Sequence, residues 1–462
     1  MGNRCKVRNS NPNSQSLAGP PAKNRAVYPR GLPASVTETS VTYLGLGGFA
    51  LGLLAVRNFH PSPVAEILLI LALTAVPMLL MDILVLKVHR RSTTGLDWGR
   101  VADFSVGRSA IKILGLGSTL GCLLLCYWLF PEYGATQYAV VFDFFKATWP
   151  YLIAFSLVYV FVIDAFMTDP RDGYWQAGCL VIGRFKEIDR KVFGQYCLGW
   201  LVKGFFIPFM ISVFVGDINA IFASGFLRGI RGFQSFYDFG FALSYGIDTA
   251  FGALGYLLTL RIADAHMRST EPTVLGWLVA LACYPPFWPQ LSSQFLPYEA
   301  HAVYWGGWFE SQTVLYDIWG TLILCCLGIY AWSTVTFGCR FSNLTHRGIL
   351  TNGPYRWSKH PAYVSKNLSY WLIAVPFISR TGTADAVRGC LMLGLVNFIY
   401  FLRAGTEERH LSRDPTYIAY ALWMNDHGIL KWLGALIPVF RYKAPEVTDR
   451  GSMRLSEAPS AE

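Results

Sequence analysis

Residues 63–86 read PVAEILLILALTAVPMLLMDILVL, a run with two carboxylates, Glu66 and Asp82, and no Lys or Arg. A bilayer's hydrocarbon core is about 30 Å thick and takes about 20 helical residues to cross. Lipid offers no partner for backbone N–H and C=O groups, so a run of this length and character predicts a membrane-spanning helix. Working outward, comparable segments cover 41–58, 109–130, 147–168, 197–217, 236–262, 273–298, 314–337, 363–379 and 386–402. The fold class expected is all-α, a polytopic integral membrane protein with about ten transmembrane helices. Span 236–262 is marred by Asp238 and Asp248, and Pro285, Pro286 and Pro289 should break or kink 273–298.

Composition points the same way. Of 462 residues, 53% are hydrophobic and only 15% charged, whereas soluble domains carry roughly 25% charged residues. The net charge of +10 reads as basic residues that hold cytoplasmic loops in place. No soluble basic domain is present, which excludes a nucleic-acid partner; the expected partners are the bilayer and a lipophilic molecule. The ten cysteines form no CxxC pair, so neither a zinc site nor a disulfide framework is expected, and no metal ligands are assigned.

Residues 1–40 are rich in Asn, Ser, Pro and basic residues and predict a disordered basic tail, as do 443–462 at the other end. Between them lie an N-terminal bundle over 41–300 and a C-terminal core over 314–442. Lys and Arg gather around 87–108, 184–191 and 340–366 and beyond Arg403, while 299–313 has none. This alternation puts both termini in the cytoplasm. The stretch FKEIDRKVF, 185–193, suggests a short amphipathic surface helix.

Two polar clusters bracket the last expected hairpin. The first is TNGPYRWSKHPAY, Thr351 to Tyr363; the second holds Arg403, Glu407, Glu408 and Leu411. Charged and aromatic side chains at the mouth of an apolar hairpin are costly beside a bilayer and mark the place to look for chemistry. Arg403 and Glu407 are four apart, the spacing of a helical ion pair. His360 precedes a proline, so it should sit where a loop enters a helix. Tyr417 and Tyr420 read as interface anchors or packing residues.

From about Asp317 to Tyr420 the chain resembles the isoprenylcysteine carboxyl methyltransferases and, more loosely, the phospholipid methyltransferases. The first shared motif stands here as Gly353, Pro354, Tyr355, Arg356, Lys359, His360, Pro361 and Tyr363, approached by FGCRFSNLTHRGILT; the second stands as Glu407, Glu408, Leu411, Tyr417 and Tyr420. Lys359 replaces the family's usual Arg, and its usual Gly before the tyrosine pair is absent. The resemblance implies S-adenosyl-L-methionine as cofactor and a lipophilic methyl acceptor, bound at a site facing the cytoplasm. It implies Tyr355 and Tyr363 as π faces, Arg356 and Lys359 as cations and Glu407 and Glu408 as acceptors. Gly353, Pro354 and Pro361 would shape the loop against the cofactor, His360 would also lie against it, and His360 and Arg403 would be the catalytic residues. The same superfamily includes the NADPH-dependent sterol reductases, which also carry about ten spans, so a double-bond reductase is the alternative. A third reading, a transporter, rests on Asp238 and Asp248 alone.

Overall fold

The computed structural model describes residues 31–99, 103–229, 231–300, 302–310, 313–447 and 453–454. Its α-helices are, in chain order, α1 (Thr39–Phe59), α2 (Pro63–Leu80), α3 (Val106–Leu129), α4 (Thr136–Phe166), α5 (Gly173–Val181), α6 (Arg190–Ala223), α7 (Phe233–Leu257), α8 (Val274–Leu281), α9 (Phe287–Gln290), α10 (Trp305–Phe309), α11 (Thr313–Val335), α12 (Pro361–Ala374), α13 (Thr383–Leu411), α14 (Pro415–His427) and α15 (Lys431–Leu436). Seven of these are long and apolar enough to cross a membrane: α1, α2 with a π-helical turn to Val85, α3, α4, α6, α11 and α13.

The other three expected spans take different forms. Helix α7 is 25 residues long but rich in Gly, Ser and Tyr as well as its two aspartates. Residues 273–298 are broken, with α8 ending at Leu281 and the chain resuming at Phe287 beyond Pro285 and Pro286, as prolines without an N–H donor dictate. Helix α12 has 14 residues, about 21 Å at 1.5 Å per residue. It stops at Val375, which is left-handed at φ 46°, one residue ahead of Pro376.

Two local expectations need correction. Of the basic tail assigned to 1–40, residues 1–30 lie outside the described residues, but from Pro33 the chain is tied to the motif loop, so the disorder expected there does not hold. Thr351 donates to the Pro33 carbonyl (2.8 Å) and Val36 N to the Ile349 carbonyl (2.9 Å). Thr37 donates to the Thr336 carbonyl (2.9 Å). No surface helix forms over 185–193; Asp189 instead accepts from Lys191 N and Val192 N and caps α6. Of the C-terminal tail, 448–452 and 455–462 lie outside the described residues.

The largest core joins α1, α2, α4, α6 and α7 around Phe49, Phe206, Phe214 and Phe251. Helices α1 and α2 approach closely because Gly48 has no side chain; a Cβ there would stand 2.0 Å from the Leu73 carbonyl oxygen. Beyond the end of α7 two buried arginines organise the chain. Arg340 pairs with Asp82 at the end of α2 (3.3 Å) and donates to the Ala263 carbonyl (2.8 Å). Arg347 donates to the carbonyls of Ala265 (2.7 Å), Gly255 (2.6 Å) and Phe341 (2.9 Å).

Losing these bonds leaves buried carbonyls unpaired, and each bond from a charged donor contributes about 1.5–3 kcal/mol. Arg347→Met is therefore expected to cost about 3 kcal/mol or more, read as a lower thermal midpoint in detergent. The exposed Arg356 provides the control, and its change to Met should stay within about 0.5 kcal/mol.

Candidate functional site

The motif loop takes its shape from the end of α11. Gly353 opens a single 3-10 turn, Gly353–Arg356, at φ +53°, and a Cβ on it would meet the Thr336 hydroxyl at 2.7 Å. Tyr420 of α14 closes the turn from the other side, donating to the Tyr355 carbonyl (2.6 Å). His360 is the N-cap residue of α12 and Pro361 its first residue, as the sequence led one to expect. Helical spacing then puts Tyr363 and Lys366 on one face of α12. On α13 the same periodicity aligns Tyr400, Arg403, Glu407 and His410.

These faces line one cleft of about 1010 Å³, part of it open to solvent, closed by α7, α8 and α11. Tyr363 donates to Glu407 Oε2 (2.6 Å), and its ring stacks on His360 with centroids 5.4 Å apart and planes 4° apart. Glu408 Oε1 lies 2.9 Å from His360 Nε2 and 2.7 Å from Lys359 Nζ. Arg403, 7% exposed, donates to Asn343 Oδ1 (2.6 Å) and lies over the Tyr363 ring at 5.0 Å. Deeper in, Asp248 of α7 accepts from Tyr330 (2.6 Å) and Thr334 (2.5 Å), and Lys366 Nζ stands 4.9 Å over the Tyr330 ring.

Of the residues singled out from sequence, Tyr355, Lys359, His360, Tyr363, Arg403 and Glu407 line the cleft. Gly353, Pro354, Pro361 and Glu408 stand behind it as support, and Arg356 is exposed outside it. Arg403 makes no ion pair with Glu407; Asn343 takes its guanidinium instead. Tyr417 and Tyr420 are buried, at 3% and 2% exposure, so they are packing residues and not interface anchors. Asp238 is exposed and accepts from Gln234 (2.7 Å), away from the cleft that Asp248 enters. Sequence reasoning missed Lys366, Tyr284, Tyr330 and Asn343. A lysine and an aspartate inside apolar helices were the available signal for Lys366 and Asp248.

A second polar group lies across the cleft. His410 Nε2 is 3.1 Å from Ser269 Oγ, and Glu271 Oε2 is 3.7 Å from His410 Nδ1. Among the described residues no cluster of His, Cys, Asp and Glu is placed to hold a metal ion. Comparison with protein-family models, curated proteins and solved structures returns no match.

Asp414, the N-cap of α14, supports the site from below, with His346 Nε2 3.2 Å from its Oδ2. Burial raises its carboxyl, but the His346 ring beside it and the hydrogen bond from Thr416 N–H outweigh that and hold it down at about 2. A carboxyl depressed in the folded state stabilises it above the unfolded value of about 3.9, and that stabilisation is lost as pH falls toward 2. The unfolding midpoint of the wild type should therefore drop between pH 5 and 2 more steeply than that of Asp414→Asn. Equal slopes would remove Asp414 from the account.

Proposed function

We propose that the protein is an integral-membrane methyltransferase using S-adenosylmethionine and a lipophilic acceptor. The observation that carries the reading is the meeting of two motifs 44 residues apart at one cleft wall, Tyr363 on Glu407 at 2.6 Å. The reading takes α7, the broken 273–298 segment and α12 as completing the seven longer helices to about ten passes, with both termini and this wall at the cytoplasmic face. The distribution of Lys and Arg along the loops supports that orientation.

The residues present fit the cofactor. When bound, S-adenosylmethionine supplies an electrophilic methyl group on a sulfonium. The Glu407 carboxylate, fixed by the Tyr363 hydroxyl, suits that cation. Arg403 suits a carboxylate, and Glu407, with 40% of its side chain exposed, suits ribose hydroxyls. Lys359 has its charge met by Glu408 at 2.7 Å, so it orients the loop. His360 is held by Glu408 on one nitrogen and by the Tyr363 ring on its face; it positions that tyrosine. In-line transfer requires this alignment and a water-poor cleft, and apolar helices on three sides supply the latter.

One observation favours a second reading. Tyr330, bonded to Asp248 and lying under the Lys366 ammonium, is a phenol beside a cation at the closed end of the cleft. That is a proton donor of the kind an NADPH-dependent double-bond reductase needs.

Binding separates the two. S-adenosylhomocysteine is expected to raise the thermal midpoint of the purified protein and NADPH to leave it unchanged; the reverse result assigns the reductase. Glu407→Gln and Tyr363→Phe should each weaken S-adenosylhomocysteine binding about tenfold or more, since a charge-assisted hydrogen bond contributes about 1.5–3 kcal/mol.

His360 is expected to act by position. Its change to Asn should leave part of the methyl-transfer rate and a flat pH profile near neutrality. A wild-type rate rising through a pKa of about 6 to 7, with a loss of about 10²–10⁴-fold in His360→Asn, would make it a general base instead.

A further inference from the structure

Beyond α14 the chain reads GILKWLGALIPVF, Gly428 to Phe440, an apolar stretch after the last helix long enough to cross a membrane. It forms a closed loop. Asn425 and Tyr442 bond reciprocally at its neck, Asn425 Nδ2 to the Tyr442 carbonyl (2.9 Å) and Tyr442 N to Asn425 Oδ1 (3.0 Å). Its tip leaves Trp432, Leu436 and Val439 exposed, at 57%, 72% and 65%.

Two contacts fix where that tip lies. At one end Ile429 N donates to the Trp357 carbonyl of the motif loop (2.9 Å). At the other, Phe440 packs edge-on against Phe401 of α13, with centroids 5.4 Å apart. Phe401 is ten residues before the end of α13, about 15 Å back along its axis, inside its apolar stretch. The exposed side chains Val387, Leu391, Leu395 and Phe398 of α13 recur at helical spacing and form its lipid-facing stripe. The loop tip extends that stripe.

We propose that Gly428–Phe440 is a re-entrant anchor whose tip is seated among the acyl chains of the bilayer leaflet on the motif side. Trp432 suits the headgroup boundary, and Lys431 beside it reaches back to water along its aliphatic stem. The bond to Trp357 couples the anchor to the cofactor loop, so the loop's height above the membrane is set by how deep the tip sits. The inference rests on the membrane setting and is independent of the cofactor's identity.

The test is photo-cross-linking of the full-length chain. p-Benzoylphenylalanine replaces Leu436, Val439 or, as a control at the neck, the exposed Asp426. Each protein is reconstituted in phosphatidylcholine vesicles carrying alkyne-tagged acyl chains. Illumination should give lipid adducts at 436 and 439 severalfold above those at 426. Two tip positions guard against one misfolded variant deciding the result. Adducts at the tip no more frequent than at 426 would put it in water and overturn the proposal. Chain-to-chain products in place of lipid adducts would overturn it too, by making a second copy the occupant.

Discussion

Arg347 is 3% exposed and has no carboxylate partner among the described residues. Its guanidinium is met by backbone carbonyls from the end of α7, from 263–265 and from the turn at 339–341. A buried charge is tolerable only when its donors are satisfied, and the carbonyls at the C-terminus of α7 add the negative end of the helix dipole. The arrangement admits one path for the chain between α11 and the motif loop. Asn343 lies on that path. The Tyr256 hydroxyl accepts from its backbone N–H (2.8 Å), and its side-chain oxygen receives Arg403 (2.6 Å). The orientation of the principal cation in the cleft thus descends from an arginine that never touches the cleft.

Charge is distributed unevenly around the cleft. On the motif side the ions are satisfied locally, Lys359 and His360 on Glu408 and Tyr363 on Glu407. On the inner side Lys366 lies over the Tyr330 ring within the field of Asp248, whose carboxylate is held by two hydroxyls. A pre-paired wall is rigid and suits a ligand of fixed shape. The inner end, with Lys366 and Asp248 bridged through Tyr330 and not in direct contact, leaves polar groups facing the cleft. Helix α7 brings Asp248 there, which gives the N-terminal bundle a part in the site.

The helical class and most span positions were legible because apolar runs of bilayer length have few other readings. The broken 273–298 segment was legible from its prolines. What the sequence hid was relative placement. Glu408 follows Glu407 by one residue and so points about 100° away on the helix, yet the loop carrying Lys359 and His360 folds over to meet it. Arg356 shares the motif with Tyr355 but falls on the outer side of a 3-10 turn, where one residue of offset decides inside from outside. Residues Pro33 to Thr37 carried no periodicity because their order comes mostly from backbone and hydroxyl partners about 300 or more positions away. Lys366 was read as one more basic loop residue, although its place inside an apolar segment was a signal; a snorkelling lysine gives the same signal as one facing a cavity.

The strap formed by Pro33 to Thr37 also bears on how the chain is made. Its partners, Ile349 to Asn352, lie more than 310 positions later. At about 5–20 residues per second, a ribosome reaches them roughly 15 to 60 seconds after the strap is synthesised. Contacts of such sequence separation form late. The strap must therefore wait, extended at the membrane surface, while the N-terminal bundle inserts. The motif loop acquires its final support only when an early and a late segment of the chain come together.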